Sequence, residues 1–384
     1  MLQIGKSSLQ HELDDYFSAN SNTYTKGAFS QYRAKLKPEV FVHLNTRQLN
    51  YFYDKAAHIQ KWKGFRLVAI DGSTMQLPFS RELVKGFGHF ETRTENNRKV
   101  VLARVSQAYD VLNQISVDAR IEHYRTSELS LCKMHLSKLD NNDLVIMDRA
   151  YAAFWLMSLL QSQNKFFLIR LKANRWKVAK QFLNSKKKDQ IIIINPSNEA
   201  VLRCRQHNAP VQPMTLRMTR VPIQSGEDHV LITNLVDQKA YSCAEIRGLY
   251  RKRWPVEESF KHLKLRAELE NLTGKTISTV QQDFHRIILR ANLSTILSKN
   301  LTYKGLKNIN QRRKKNYQLN RTQAYRKSKK IIDTLFSHTM KLIEALEYYA
   351  IKLLEQTEIY RPNRSTPRVK RYSGKPVNFM AYKP

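Results

Sequence analysis

Apolar positions recur every three or four residues near both ends of the chain, but in its middle they fall on alternate residues or in short unbroken runs. That contrast predicts helical terminal regions around a sheet. Residues 1–60 keep a helical period with few glycines and predict a small helical domain. Leu67-Val68-Ala69-Ile70 then ends at Asp71-Gly72-Ser73, the pattern of a buried strand that delivers an acid to its carboxyl end. A polar loop is expected over residues 81–98, a hairpin from the runs 99–109 and 115–122, and a helix over 128–138. Leu144-Val145-Ile146-Met147 is a second apolar run that ends in an acid, Asp148, and it is followed by a helix over 154–161 and a strand over 166–171. The order β-β-β-α-β-α-β makes a mixed α/β sheet flanked by helices, in which active groups collect at the carboxyl ends of strands.

Residues 175–240 keep a β character, with strands expected at 190–194, 201–205, 214–221 and 229–235, and read as a β-rich insertion. Ser242-Cys243-Ala244-Glu245 has the form of a capping box that starts a helix. Pro255, tolerated in a first turn but not deeper, implies that the helix carrying Glu257 starts anew at about Trp254. The last stretch is helical and basic: from Tyr303 to Lys330 there are eleven Lys or Arg and no acid, and residues 361–384 hold seven more. Ile332, Leu335, Thr339, Leu342, Leu346, Tyr349 and Leu353 alternate three-four spacings, a seam that suits either packing within the chain or a dimer contact.

Charge narrows the partners. The 384 residues carry 66 Lys or Arg against 32 acids, a net charge of +34, which is most simply matched by a polyanion, nucleic acid first. No apolar run approaches the roughly 18 residues needed to span a bilayer, and the first residues lack the apolar core of a signal peptide, so a cytoplasmic protein without membrane contact is expected. Arg33, Lys35 and Lys37 form a basic patch on the N-terminal region, which is equally readable as a DNA contact or as a plain helical cap. Cys132, Cys204 and Cys243 are scattered without metal-ligand spacing and read as buried thiols.

Tyr250, Arg253, Glu257 and Lys264 fall within one helical stripe roughly 60° wide, beside an apolar stripe of Val256, Phe260, Leu263 and Ala267. By itself this is an amphipathic helix with a solvated charged face. Asp71 and Asp148 singly are equally ordinary turn or cap residues. Together, two acids at strand ends and a third on a later helix can hold divalent cations, because Mg²⁺ prefers hard carboxylate oxygens and completes its shell with water and phosphate. Such ions activate a hydroxyl and stabilise the leaving oxygen in phosphoryl displacement.

The motifs Ala-Ile-Asp71-Gly-Ser-Thr and Ile-Met-Asp148-Arg-Ala-Tyr, with Tyr250, Arg253, Glu257 and Lys264 in the spacing Y-x2-R-x3-E-x6-K, resemble the DDE transposases of bacterial insertion sequences. The similarity covers roughly residues 25–300, including the run from Ser106 to Asn113. It implies a ribonuclease-H-like catalytic core over residues 61–300 interrupted by the insertion, with a DNA-binding helical region at 1–60 and a basic helical region at 301–384. It also implies that Asp71, Asp148 and Glu257 hold two Mg²⁺ ions, with Mn²⁺ as a possible substitute. Tyr250, Arg253 and Lys264, with Lys261 beside them, would hold the transposon end. Arg170 resembles a DNA-contacting arginine, and Trp176 is the candidate for stacking on a flipped base, although a structural role fits each of these two as well.

The function so implied is cut-and-paste transposition: Mg²⁺-dependent cleavage at terminal inverted repeats, then strand transfer into target DNA by a homodimer in a synaptic complex on the nucleoid. An inactive DNA-binding descendant, a sequence-independent nuclease of the same fold, and a basic RNA-binding or structural protein remain the alternatives.

Overall fold

The computed structural model describes residues 1–2, 8–17, 24–56, 58–91, 99–223, 228–337 and 341–361. The chain opens with α1 (Leu9–Phe17), α2 (Lys26–Ala34) and α3 (Glu39–Lys55), then runs through β1 (Arg66–Gln76), α4 (Arg81–Phe87), β2 (His89–Glu91), β3 (Lys99–Asp110) and β4 (Ile115–His123). Next come α5 (Glu128–His135), β5 (Asp143–Met147), α6 (Phe154–Ser162), β6 (Phe166–Leu171), α7 (Lys177–Asn184), β7 (Asp189–Ile194), α8 (Asn198–His207), β8 (Met214–Val221) and β9 (His229–Thr233). It closes with α9 (Cys243–Arg251), α10 (Pro255–Leu265), α11 (Ile277–Arg312), β10 (Tyr317–Leu319), α12 (Arg321–Ser337), α13 (Leu342–Leu354) and β11 (Thr357–Ile359). Two compact units result, one of residues 59–74 and 104–260, the other of 1–58, 75–103 and 261–384.

The first unit is built on a mixed sheet in the spatial order β3-β1-β5-β6-β9-β8-β7, with β4 also paired to β3. β1, β5 and β6 run parallel, with Ala69 opposite Ile146 and Ile146 opposite Leu168, and β9, β8 and β7 continue antiparallel. Val68, Ile70, Val145, Met147, Phe167 and Ile169 form one core with α5, α6, α7 and α8. The alternate residues Leu67, Ala69, Leu144, Ile146 and Leu168 are buried as well, which explains why these strands read as unbroken apolar runs rather than as alternation. At the entry of β1 and β5, Arg66 grips Asp143 through Nε at 2.7 Å and Nη2 at 2.6 Å. Burial pushes the Asp143 carboxyl up and this guanidinium opposes the push.

The second unit is all but helical, with α3, α12 and α13 packed on the 36-residue α11. Arg33 is buried against Asp283 at 3.1 Å, and Leu346, Tyr349 and Leu353 pack with Ala324, Ile331 and Leu297.

Several expectations change. The polar loop over 81–98 contains α4 and β2, because Ser80 caps α4 and turns Leu83 and Phe87 inward, while residues 92–98 lie outside the described residues. The strand expected at 201–205 lies inside α8, whose Ser197 cap outweighs the β-like run. The strands of 175–240 join the main sheet through β9. Arg33 is lost to the basic patch, since its charge is satisfied inside. Of the seam, Ile332 is buried on α12 and Leu346, Tyr349 and Leu353 pack within the chain from α13, whereas Leu342 is exposed; Thr339 and the basic residues beyond Arg361 lie outside the described residues. Cys132 and Cys204 are buried, whereas Cys243 is half-exposed. Among the described residues no helix is long and apolar enough to cross a membrane.

Replacing Arg66 by Met strands a buried carboxylate, so R66M should lose about 3 kcal/mol in urea unfolding. The double variant R66M/D143L should regain at least half of that loss.

Candidate active site

The parallel register of β1 and β5, continued two residues past Ala69 and Ile146, brings Asp71 level with Asp148 on adjacent strands. β5 stops at Met147, and Asp148 caps a short helical turn by accepting from the Ala150 amide at 2.7 Å. β1 does not stop. It continues to Gln76, so Asp71 sits within a strand and not at its end, because Ser73-Thr74-Met75 keeps the strand alternation and Met75 is buried. The Asp71 carboxylate accepts from the Gly72 amide at 2.9 Å.

Glu257 comes from the first turn of α10. α9 closes at Arg251 after the capping box at Ser242, and Pro255 opens α10 at a position where no amide donor is needed. The four signature residues therefore do not share one helix: Tyr250 lies in the last turn of α9, Arg253 in the turn that follows, and Glu257 and Lys264 ride on α10. The apolar stripe Val256, Phe260, Leu263 and Ala267 is buried as its period required.

The turn puts the Arg253 guanidinium between two of the acids. Its Nη2 donates to Glu257 at 2.5 Å, and Nη1 lies 3.7 Å from Asp71. Burial, and to a smaller degree the negative charges of Glu257 and Asp148, push Asp71 up to about 6, while the Gly72 amide and Arg253 pull against them. The Tyr250 hydroxyl is raised mainly by burial, with Arg170 and Arg253 opposing and Asp148 assisting. Asp71, Asp148, Glu257, Tyr250, Arg253 and Arg170 thus share one electrostatic neighbourhood. Among the described residues the buried Arg170 Nε finds no hydrogen-bond partner.

The other named residues lie differently. Lys264 is half-buried and pairs with Glu270 at 3.4 Å, and Lys261 is exposed. Trp176 immediately precedes α7 and is partly buried against the core, which favours the packing role.

Sequence reasoning missed two neighbours. Glu128, the first residue of α5, lays its side chain over Gly72 so closely that a Cβ there would meet its Cγ at 3.0 Å, and Arg104 approaches it at 3.5 Å. The Tyr151 hydroxyl is buried and raised well above its ordinary range, first by burial, then by the charges of Cys132, Glu128, Asp71 and Asp148. Tyr151 stands three residues after Asp148, a spacing that offered a signal; nothing in the spacing ties Glu128 to Asp71.

The donor set suits a hard divalent cation in kind, since its members are carboxylates. Among the described residues, however, no three acidic, histidine or cysteine side chains are grouped closely enough to hold a metal as they stand. The guanidinium is the cation that holds Asp71 and Glu257 here.

A model of the transposase DDE domain matches residues 62–293, a span that contains all three acids, Tyr250, Arg253 and Lys264. The transposase InsG for insertion sequence element IS4 of Escherichia coli (strain K12) is 22% identical over 287 residues, 74% of this chain and 63% of that relative. The chain thus spans less than two thirds of that relative's length. Among solved structures, the piggyBac transposase in a synaptic complex with hairpin DNA is similar at a TM-score of 0.45 and 12% identity, over 96% of this chain and 76% of that one.

An acid raised to about 6 binds its proton more tightly in the folded state than in the unfolded one, so ionised Asp71 weakens the fold as pH rises through about 4 to 6. Asp71→Asn should therefore raise stability by about 1–2 kcal/mol at pH 7.5, and the gain should vanish near pH 4, as read by thermal melts across that range.

Proposed function

We propose that this chain, which belongs to the DDE transposase family, cuts DNA at the terminal inverted repeats of its own element and joins the freed 3′ hydroxyls to target DNA. The observation that carries the reading is the neighbourhood of three acids: Arg253 pairs with both Asp71 and Glu257, and the charges of Glu257 and Asp148 both act on Asp71. Isolated cap or turn acids would not arrange themselves in this way.

Asp71, Asp148 and Glu257 would hold two Mg²⁺ ions, or Mn²⁺ in their place. Once bound, the ions supply an activated water or 3′ hydroxyl and neutralise the leaving oxygen. The remaining work falls to the chain's own side chains. Arg253 must release Asp71 and Glu257 to clear the site, and the phosphate beside the scissile bond is a ready bidentate partner for the freed guanidinium. Tyr250 and Arg170 flank that path, one donating a hydroxyl proton and the other a buried, unpartnered Nε–H. Lys264 and Lys261, farther along α10, would bind phosphates of the transposon end, Lys264 by exchanging Glu270 for DNA. Trp176 is the remaining candidate for base stacking.

Outside the site, the net charge of +34 supports double-stranded DNA as the partner. The helical region 1–60 and the basic region 301–384 would add DNA contacts flanking the catalytic region 61–300, in a homodimer that pairs two ends on the nucleoid.

Purified protein mixed with Mg²⁺ and a duplex carrying the element end should nick at that end, and Asp148→Ala should lower the rate by at least about a thousandfold. Absence of nicking, or equal nicking of unrelated duplexes, would remove this reading, the latter in favour of a sequence-independent nuclease.

A further inference from the structure

A second chain of polar groups lies behind the acids, unused by the roles above. Ser106 stands on β3, the neighbour of β1 in the sheet, and its hydroxyl donates to the main-chain carbonyl of Asp71 at 3.1 Å. The same oxygen faces Nε2 of His135 at 2.9 Å, Nδ1 of that ring faces Asp118 at 2.8 Å, and Arg120 donates to Asp118 at 2.7 Å. Ser106 is 1% exposed, His135 0% and Asp118 7%, so the steps from Ser106 to Asp118 are shielded from water.

The direction of the hydrogen bonds follows from counting protons. Burial raises the Asp118 carboxyl, but His135 and Arg120 outweigh it and hold the group below its ordinary range. Ionised, it can only accept, so Nδ1 donates to it. Ser106 has one O–H; when that proton points at the Asp71 carbonyl, the serine oxygen is free to accept from Nε2. Without the Nε2 proton the hydroxyl would turn to the ring and release the Asp71 carbonyl.

That carbonyl belongs to the peptide between Asp71 and Gly72, a rigid plane. Its other end is the Gly72 amide that donates to the Asp71 carboxylate at 2.9 Å. Pinning one end of the plane fixes the donor at the other end and hence the direction in which the carboxylate points.

The geometry points to His135 as a positioning residue for the cleavage reaction, acting through Ser106 and the Asp71–Gly72 peptide to aim the Asp71 carboxylate at its cation. This rests on the reading of Asp71 as a metal-holding acid. Outer partners that orient a ligand typically contribute tenfold or more to metal affinity. A buried network that serves stability alone would leave metal binding unchanged.

The test uses the full chain bound to a duplex carrying the element end. Free Mn²⁺ is counted by electron paramagnetic resonance, and nicking is followed as a function of metal concentration. Ser106→Ala should weaken Mn²⁺ binding about tenfold and raise the metal needed for half-maximal nicking by the same factor, with a thermal midpoint close to wild type. Ser106→Thr, which keeps a hydroxyl, should recover most of the affinity. His135→Gln, whose amide can still donate to Ser106, should lose less metal affinity than His135→Leu. Wild-type Mn²⁺ binding by Ser106→Ala overturns the proposal, and so does equal weakening by Ser106→Ala and Ser106→Thr, or by the two His135 variants. An Asp71→Asn protein that binds Mn²⁺ and nicks like wild type instead overturns the reading of Asp71 on which the proposal stands, a different result from any of these.

Discussion

The bridge of Arg253 between Asp71 and Glu257 is the interaction on which the site depends. Three carboxylates brought to one edge of a sheet repel one another, and a partly buried setting screens them poorly. The sheet fixes two of them through the parallel pairing of β1 and β5, so the repulsion cannot be relieved by moving strands without breaking the core. A cation has to be supplied. In the chain alone it is a guanidinium held at 2.5 Å from Glu257 and 3.7 Å from Asp71, while Asp71 stays raised to about 6, mainly by burial and to a smaller degree by the other two acids. A site built this way is preloaded with its own counter-ion, and whatever replaces Arg253 must neutralise the acids better than it does.

Much of this was legible in the residues. The apolar runs before Asp71 and Asp148 are strands buried on both faces, the Ser242 capping box starts α9 as expected, and Pro255 restarts the helix before Glu257. What failed did so for local reasons. The run at 201–205 has the composition of a strand but follows a serine cap, and cap chemistry won. Asp71-Gly72 looked like a stop, yet an Asp can accept from its neighbour's amide inside a strand, and the alternation beyond it kept β1 going to Gln76. Arg33 looked like a surface charge because no spacing in the sequence reveals Asp283, 250 residues away, as its buried partner. Glu128 escaped for the same reason: its position over Gly72 is purely tertiary.

The three acids also differ in how firmly they are held, and that difference bears on how a site closed by an arginine can open. Asp71 is fixed from both sides, within a strand and by the Gly72 amide. Asp148 is tied by one hydrogen bond at the head of a short helical turn. Glu257 stands at the start of a helix entered through a turn, on which Arg253 also lies. The rigid acid therefore sets the frame, and any exchange of the guanidinium for another cation would have to start at the turn before Pro255, on which Arg253 lies.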